Sequence, residues 1–365
     1  MTDSESLSDL RKKIDAIDLE ILGLISARAR CAQRVAEIKN GAVAEGESVP
    51  SFYRPEREAE VLRHIQQANP GPLNDEEMAR LFREIMSACL ALEARQTVAY
   101  FGPEGTFTQS AALKHFGHSI HTQALAAINE VFREVESGGC EFGVVPIENS
   151  TEGVVNHTLD SFLQSSLNIC GEVELRIHQH LLGKSEDLSA IKRVFSHPQS
   201  LAQCREWLDT HLPQVEKVNT DSNAEAARRI VEEEGAAAIA GEGAADIYGL
   251  SVLSRNIEDN PDNTTRFLII GHQFVPRSGD DKTSLLVSTH NRPGSLYRLL
   301  TPFANNDVSL TRIESRPSRC VNWEYVFFLD LIGHIEDRHI QDALEALRED
   351  AEMVRVLGSY PRAVL

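Results

Sequence analysis

Over residues 8–39 the apolar side chains Leu10, Ile14, Ile17, Ile21, Leu24, Cys31, Val35 and Ile38 return every three or four positions, with no proline and one glycine. That spacing is helical and predicts one long amphipathic helix. A Gly/Glu/Ser/Pro-rich stretch at 40–50 ends it, and helical patterns resume at 54–68 and, after the turn Asn69-Pro70-Gly71-Pro72, at 75–95. Residues 1–95 are therefore expected to form an all-α domain. From Thr97 the apolar runs shorten to strand length, at 98–101, 142–147, 193–196, 236–240 and 266–270, and alternate with helical stretches. This predicts an α/β domain over 97–272 with a largely parallel sheet. The segment VPRSGDD at 275–281 reads as a linker. Beyond it, strands at 283–289, 310–315, 325–332 and 353–357 and helices at 294–304 and 337–347 give the order βαββαβ, a ferredoxin-like domain over 283–365.

The 365 residues, 42% hydrophobic and 25% charged, suit a multidomain globular protein. A net charge of -19, from 36 Lys+Arg against 55 Asp+Glu, repels nucleic acid and anionic membrane surfaces. An anionic substrate must then be held where cations gather. Arg28 stands in the apolar stripe between Leu24 and Cys31, a costly place for a lone guanidinium. Lys39, eleven residues on, projects from nearly the same face roughly 16 Å away, whereas Arg11 lies roughly 25 Å from Arg28 along a straight helix. If Arg11 serves the same small molecule, it comes from a second subunit. Six cysteines without a CxxC pair fit reduced thiols. The acidic N-terminus lacks a signal-peptide pattern, and no apolar run reaches membrane-span length, so a cytoplasmic location is expected. His178 and His180 share a strand face without an evident third ligand, so structural roles are expected there and at His115, His118 and His121, and no metal.

Three polar loops fall at strand ends. Tyr100-Phe101-Gly102-Pro103-Glu104-Gly105-Thr106-Phe107 joins a strand to a helix, exposing backbone N–H groups. Pro146-Ile147-Glu148-Asn149-Ser150-Thr151-Glu152-Gly153 follows a buried strand, and Asn263-Thr264-Thr265-Arg266-Phe267 opens the last one. Together they predict a cleft.

LRKKIDAID near the start, Arg28, the EIK ending at Lys39, YRPERE at 53–58 and LFREIMSACLALE at 81–93 resemble the helical chorismate mutase domain of the bacterial P-proteins. That family is an intertwined dimer, so the resemblance implies a homodimer or higher homo-oligomer. It further implies that Arg11 (from the other chain), Arg28, Lys39, Arg54, Arg57, Glu58, Cys89 and Glu93 bind chorismate or prephenate. Arg54 stands where some members carry Asp, and Glu93 replaces a Gln that hydrogen-bonds the breaking ether. Chorismate rearranges unimolecularly without a cofactor. The protein need only hold two carboxylates and present donors to the ether oxygen, which suits Arg28, Lys39 and Glu93.

GPEGTF, PIENSTEG, the SHPQSLAQC of 196–204 and the TRF of 265–267 similarly resemble prephenate dehydratase, a family of two α/β lobes around a cleft. The resemblance makes Thr265 the essential residue. Prephenate loses carbon dioxide and its ring hydroxyl as the ring aromatises, which calls for a proton donor and a carboxylate clamp. Thr265 is the expected donor, with Thr106, Asn149, Ser150, Thr151, Arg266 and Phe267 around the substrate. Finally, the βαββαβ order, Asn291-Arg292-Pro293-Gly294-Ser295-Leu296 and Glu314-Ser315-Arg316-Pro317 resemble the ACT regulatory domain of P-proteins. There Asn291, Pro293, Gly294, Ser295, Leu296, Glu314, Ser315, Arg316 and Pro317 are implied to bind phenylalanine at a subunit interface. Two other readings stay open at this point: a two-lobed ligand sensor, or a mutase carrying an inactive middle domain.

Overall fold

The computed structural model describes residues 6–41, 52–185, 187–290, 292–317 and 325–364. Three helices come first: α1 (Leu7–Gly41), α2 (Pro55–Ala68) and α3 (Asp75–Leu90). Pro55 pre-sets the first turn of α2. The Asn74 side chain caps α3 by accepting from Glu77 N at 2.7 Å, and Asp75, Glu76 and Glu77 complement the helix dipole. α3 stops at Leu90, short of the 95 expected. Residues 91–93 tighten into turns, with Leu92 N donating to Cys89 O and Glu93 N to Leu90 O, because the chain must reverse to enter the next sheet at Thr97.

The chain continues as β1 (Thr97–Phe101), α4 (Phe107–Phe116), β2 (His121–Leu125), α5 (Ile128–Glu136), β3 (Phe142–Asn149), β4 (Gly153–Val154), α6 (Asn156–Phe162) and β5 (Asn168–Arg176). It then crosses to a second lobe of β6 (His180–Gly183), β7 (Arg193–Ser196), α7 (Pro198–Gln203), α8 (Arg205–His211), β8 (Glu216–Asn219), α9 (Asn223–Ile230), β9 (Ala236–Ala240), α10 (Glu242–Tyr248) and β10 (Ser251–Ser254). It returns as β11 (Thr264–Gly271). The first sheet has the order β2-β1-β3-β11-β5 with β4 beside β3, and the second β10-β6-β9-β7-β8. Neither is largely parallel. β3–β11, β11–β5, β10–β6 and β6–β9 are antiparallel, since the chain leaves one lobe through β5 and β6 and comes back through β10 and β11. Residues 177–179 and 255–263 are thus the two links between lobes.

The C-terminal segment is β12 (Asp281–Ser288), α11 (Ser295–Asn305), β13 (Leu310–Pro317), β14 (Tyr325–Ile332), α12 (Arg338–Asp350) and β15 (Met353–Pro361), in sheet order β13-β14-β12-β15. One face carries the helices over Leu285, Val287, Leu299, Phe303, Leu329 and Leu331. The other lies on the first-lobe sheet, where Leu286, Val326, Phe328, Leu357 and Tyr360 share a core with Ile147, Leu159, Phe162, Ile169 and Leu268. The approach is closest at Gly358, where a Cβ would sit 2.2 Å from Ile169 O. The linker is bound as well. Val275 O accepts from His334 Nε2 at 2.9 Å, and Arg63 of α2 donates to Ser278 O and Asp280 O at 3.0 and 2.7 Å. Tyr53 in turn inserts among His115, Phe116 and Phe142, its hydroxyl 2.8 Å from His115 Nε2. No helix among the described residues is long and apolar enough to cross a membrane.

Candidate active sites

The cleft between the lobes is built on the pair β3 and β11, whose register sets Thr265 opposite Asn149 and Arg266 opposite Glu148. Asn149 Oδ1 accepts from Thr151 N and Glu152 N at 2.9 and 3.0 Å, which fixes its amide group. Its Nδ2 consequently faces Thr265 Oγ1 at 2.8 Å and Asn263 Oδ1 at 2.7 Å. Thr265 Oγ1 is thereby an acceptor from Asn149, and its own proton is left to donate outward. Ser150 closes the strand pair, its N donating to Thr264 O and its Oγ accepting from Thr264 N. Thr151 Oγ1 reaches Asn263 Oδ1 at 3.4 Å. A cavity of about 240 Å³ adjoins, lined by Thr151, Glu152, Gln203, Glu258, Asp259 and Asn263 among others.

From Asn263 the hydrogen bonds run into the second lobe. Asn263 Nδ2 donates to Gln203 Oε1, which also accepts from Gln179 Nε2; Gln179 Nε2 and Asn223 Nδ2 both donate to Ser200 Oγ. Gln179, between the two histidines on the link from β5 to β6, was not singled out in the sequence, nor were Asn263, Gln203 and Asn223 as site residues. Gln203 lies within the SHPQSLAQC motif at the end of α7, Asn223 opens α9, and Asn263 stands in the polar loop before β11, so motif and loop position were the signals available. The histidines themselves are engaged: His178 Nδ1 lies 2.8 Å from Glu258 Oε1, and His180 Nδ1 accepts from Asn256 N. Among the described residues no three His, Cys, Asp or Glu side chains gather as a metal site. The Gly105 loop borders the second lobe, with a Cβ at Gly105 only 3.2 Å from Ala244 and Tyr248 Oη donating to Glu104 O. Thr106 Oγ1 donates to Pro103 O within that loop.

Arg266 and Phe267 are not in this cleft. Alternation along β11 turns Arg266 to the opposite face from Thr265, where Glu172, Asp330, Glu148 and the Tyr360 hydroxyl surround it. Phe267, 2% exposed, belongs to the core beneath the sheet. Asp330 is held below the usual carboxylate range: burial pushes it up, but Arg266, the Ser284 hydroxyl and Arg312 outweigh burial.

In the helical segment Arg28, Lys39, Glu58 and Glu93 fall near one another. Burial raises the carboxyl of Glu93 above its ordinary range, opposed by Lys39 and then Arg28. Burial likewise raises Glu58, opposed by Arg83 and Arg28. Glu58 Oε1 lies 2.9 Å from Arg83 Nη1, a buried pair not foreseen in the sequence. Lys39 Nζ sits 5.0 Å from the centre of the Phe52 ring. Cys89 is buried nearby on α3. Arg54 pairs with Glu56, and Arg57 turns outward to Glu60 at 2.9 Å, so neither joins the group within one chain. Arg11 is exposed near the far end of the unbroken α1.

In the C-terminal segment a second cavity of about 240 Å³ is lined by Gly294, Ser295 and Leu296 with Arg292, Tyr325 and Phe327 among others. Gly294, in the left-handed region at φ 80°, makes the turn into α11. Ser295 Oγ donates to His290 O. Pro293 O accepts from Arg298, and Asn291 lies outside the described residues. Ser315 and Pro317 are the register partners of Phe327 and Tyr325, so they border the same end of the sheet. Arg316 faces the first lobe and binds Asn156 and Asp160, and alternation places Glu314 on that side.

Comparison with known families divides the chain in the same order. Residues 10–94 match the model of chorismate mutase type II, 98–274 that of prephenate dehydratase and 283–349 that of the ACT domain. A protein of Pseudomonas aeruginosa described as a bifunctional chorismate mutase/prephenate dehydratase is 61% identical over 366 residues, covering 100% of both chains. One from Neisseria gonorrhoeae with the same description is 52% identical, covering 100% of this chain and 99% of its own. The crystal structure of prephenate dehydratase from Arthrobacter aurescens in complex with L-Phe has a TM-score of 0.69 at 37% identity, over 73% of this chain and 90% of its own. With helical, two-lobed and ACT segments in this order and such relatives along its whole length, the chain belongs to the bifunctional chorismate mutase/prephenate dehydratase family.

Proposed function

We infer that this chain rearranges chorismate to prephenate in its helical domain and converts prephenate to phenylpyruvate in the two-lobed domain, under feedback control by phenylalanine. The observation that carries the dehydratase reading is the Thr265 hydroxyl, which takes a hydrogen bond from a fixed Asn149 amide and keeps its proton for the cleft. The Thr265 hydroxyl is oriented to donate a hydrogen bond to the ring hydroxyl, which departs as hydroxide and is protonated to water from solvent, while carbon dioxide leaves and its electron pair aromatises the ring. Asn149, Ser150, Thr151 and Thr106 are the proposed positioning groups. In the mutase, Arg28 and Lys39 clamp the substrate carboxylates, with Arg11 arriving from a second chain, and protonated Glu93 donates to the ether oxygen as negative charge develops there.

The domains are proposed at 1–95, 97–272 and 283–365, in a cytoplasmic homodimer or larger homo-oligomer. The dimer is supported by the apolar stripe of α1, where Leu24 is 71% and Ile38 61% exposed in the single chain. Phenylalanine is assigned to the cavity at 292–297, with the Ser315–Pro317 strand end at its border. Purified protein supplied with prephenate alone should release phenylpyruvate, and less of it when phenylalanine is added. No phenylpyruvate from prephenate would overturn the dehydratase assignment, and unchanged release with phenylalanine would overturn the regulatory one.

A further inference from the structure

The strands that present the cleft residues have a second, buried face. On β3 and β11 the neighbours in sequence of Asn149 and Thr265 are Glu148 and Arg266, again opposite each other. Arg266 Nε donates to Glu172 Oε2 and Nη1 to Asp330 Oδ2, both at 2.7 Å. Arg312 Nε lies 3.0 Å from Glu148 Oε2. Arg312 and Asp330 belong to β13 and β14 of the C-terminal sheet, so each catalytic strand is gripped from behind by one charged side chain of the regulatory domain. Asp330 is fixed in turn by Ser284 Oγ at 2.6 Å. The register of β3 against β11 shifts immediately after Arg266. A bulge there bends and twists the strand locally, so the β3 side of the Thr265 pair is not locked in register with the core beyond it.

The same strands reach the cavity assigned to phenylalanine. Tyr325 and Phe327, at the start of β14, line it, and Asp330 lies three residues beyond Phe327, roughly 10 Å along the strand. The Arg266–Asp330 pair is buried, while the Glu148 side chain beside Arg312 is 34% exposed; a buried charge pair adds little net stability compared with apolar packing of the same volume, but it is intolerant of displacement. Such a contact suits transmission of a small movement.

We propose that Arg312 and Asp330 are positioning residues of the dehydratase: by holding Glu148 and Arg266 they set the geometry of Asn149 and Thr265, and through them phenylalanine binding reaches the cleft. The proposal rests on the dehydratase and phenylalanine assignments made above. It accounts for a regulatory domain whose sheet shares a core with the catalytic lobe and whose ion pairs stand one residue from the cleft pair.

The test uses the full-length chain and the substitutions Arg312→Met, which keeps the stem and removes the guanidinium, Arg312→Lys, which restores a charge, and Asp330→Asn, which keeps the volume. For each, phenylalanine affinity is measured by calorimetry, prephenate kcat and KM are measured with and without phenylalanine, and thermal unfolding reports the folded fraction. Arg312→Met and Asp330→Asn should bind phenylalanine as wild type does and keep KM. Their kcat should fall, and the phenylalanine-dependent change in rate should shrink by about fivefold or more, the lower end of ordinary allosteric coupling. Arg312→Lys should recover part of both. A purely structural role would lower the unfolding temperature and leave kcat and inhibition of the folded enzyme intact, and that result in Asp330→Asn and Arg312→Met overturns the proposal. Should Arg312→Met not fold, Arg312→Lys and Asp330→Asn decide it by the same readouts. A wild-type enzyme indifferent to phenylalanine overturns the regulatory assignment and the relay together, and kcat of the variants then decides the positioning role.

Discussion

Replacing Thr265 by Val removes one hydroxyl and keeps the branched shape. Thr265 is only 9% exposed, so little solvent enters to replace the lost group. Asn149 Nδ2 loses its 2.8 Å acceptor but retains Asn263 Oδ1 at 2.7 Å, and Asn149 Oδ1 keeps both backbone donors. The amide therefore stays in place, and the stability cost should be that of one net hydrogen bond, about 1 kcal/mol. On the proposed assignment the catalytic cost is larger, because the deleted hydroxyl is the hydrogen-bond donor to the departing group. A positioned proton donor contributes on the order of 10²–10⁴-fold, so dehydratase kcat should fall by that factor with KM little changed. Mutase activity should persist, since Thr265 sits in the first-lobe sheet and Arg28, Lys39 and Glu93 in or after the N-terminal helices. The assay follows chorismate loss and phenylpyruvate formation separately on protein whose thermal unfolding matches wild type. Full dehydratase turnover in folded Thr265→Val would remove Thr265 from the chemistry.

Mutase activity should decline as pH rises through the raised titration of Glu93, because only the protonated carboxyl donates to the ether oxygen; Glu93→Gln should stay active and flatten that profile, and an unchanged profile would show that Glu93 does not face the ether. Gly358→Ala should lower the thermal midpoint, since its Cβ meets the Ile169 carbonyl at 2.2 Å and backbone cannot rotate aside; overpacking of this kind costs about 1–3 kcal/mol or more, and an unchanged midpoint would contradict the close approach. Arg266→Met should cost about 3–5 kcal/mol in urea unfolding by leaving buried Asp330 without its cationic partner, whereas Glu172 keeps Lys282. Asp330, held low in the native state, contributes stability above its unfolded titration near ~3.9 that is lost as pH falls through its depressed native value, so the Arg266→Met penalty should shrink in acid; a pH-independent penalty would show that the charge of Asp330 is not involved.

Periodicity carried most of the fold. The period of 3.6 located α1 to within two residues at either end, and the βαββαβ order of the C-terminal segment is present as read. The mixed sheets were not legible, because strand direction depends on where the chain crosses between lobes, and the residues at those links carry no period. The cleft pair came from motif resemblance and stands together in the structure. Arg266 shows where motif reading stops: adjacent residues on a strand face opposite ways, so a three-residue motif spans a cleft residue, an interface cation and a core aromatic. The partners Glu172 and Asp330 were visible only as acids inside largely apolar stretches, and what would pair with them depended on the docking of two distant sheets. Arg57 and Arg11 likewise do not group within one chain, since Arg57 turns to Glu60 and Arg11 is exposed near the far end of α1.

The most direct test of the whole account is a single time course on the purified chain. Supplied with chorismate alone, it should form prephenate and then phenylpyruvate, with no added cofactor, and phenylalanine should depress the second product. Chorismate consumed without phenylpyruvate would contradict the dehydratase half, and chorismate left unconsumed while added prephenate is converted would contradict the mutase half.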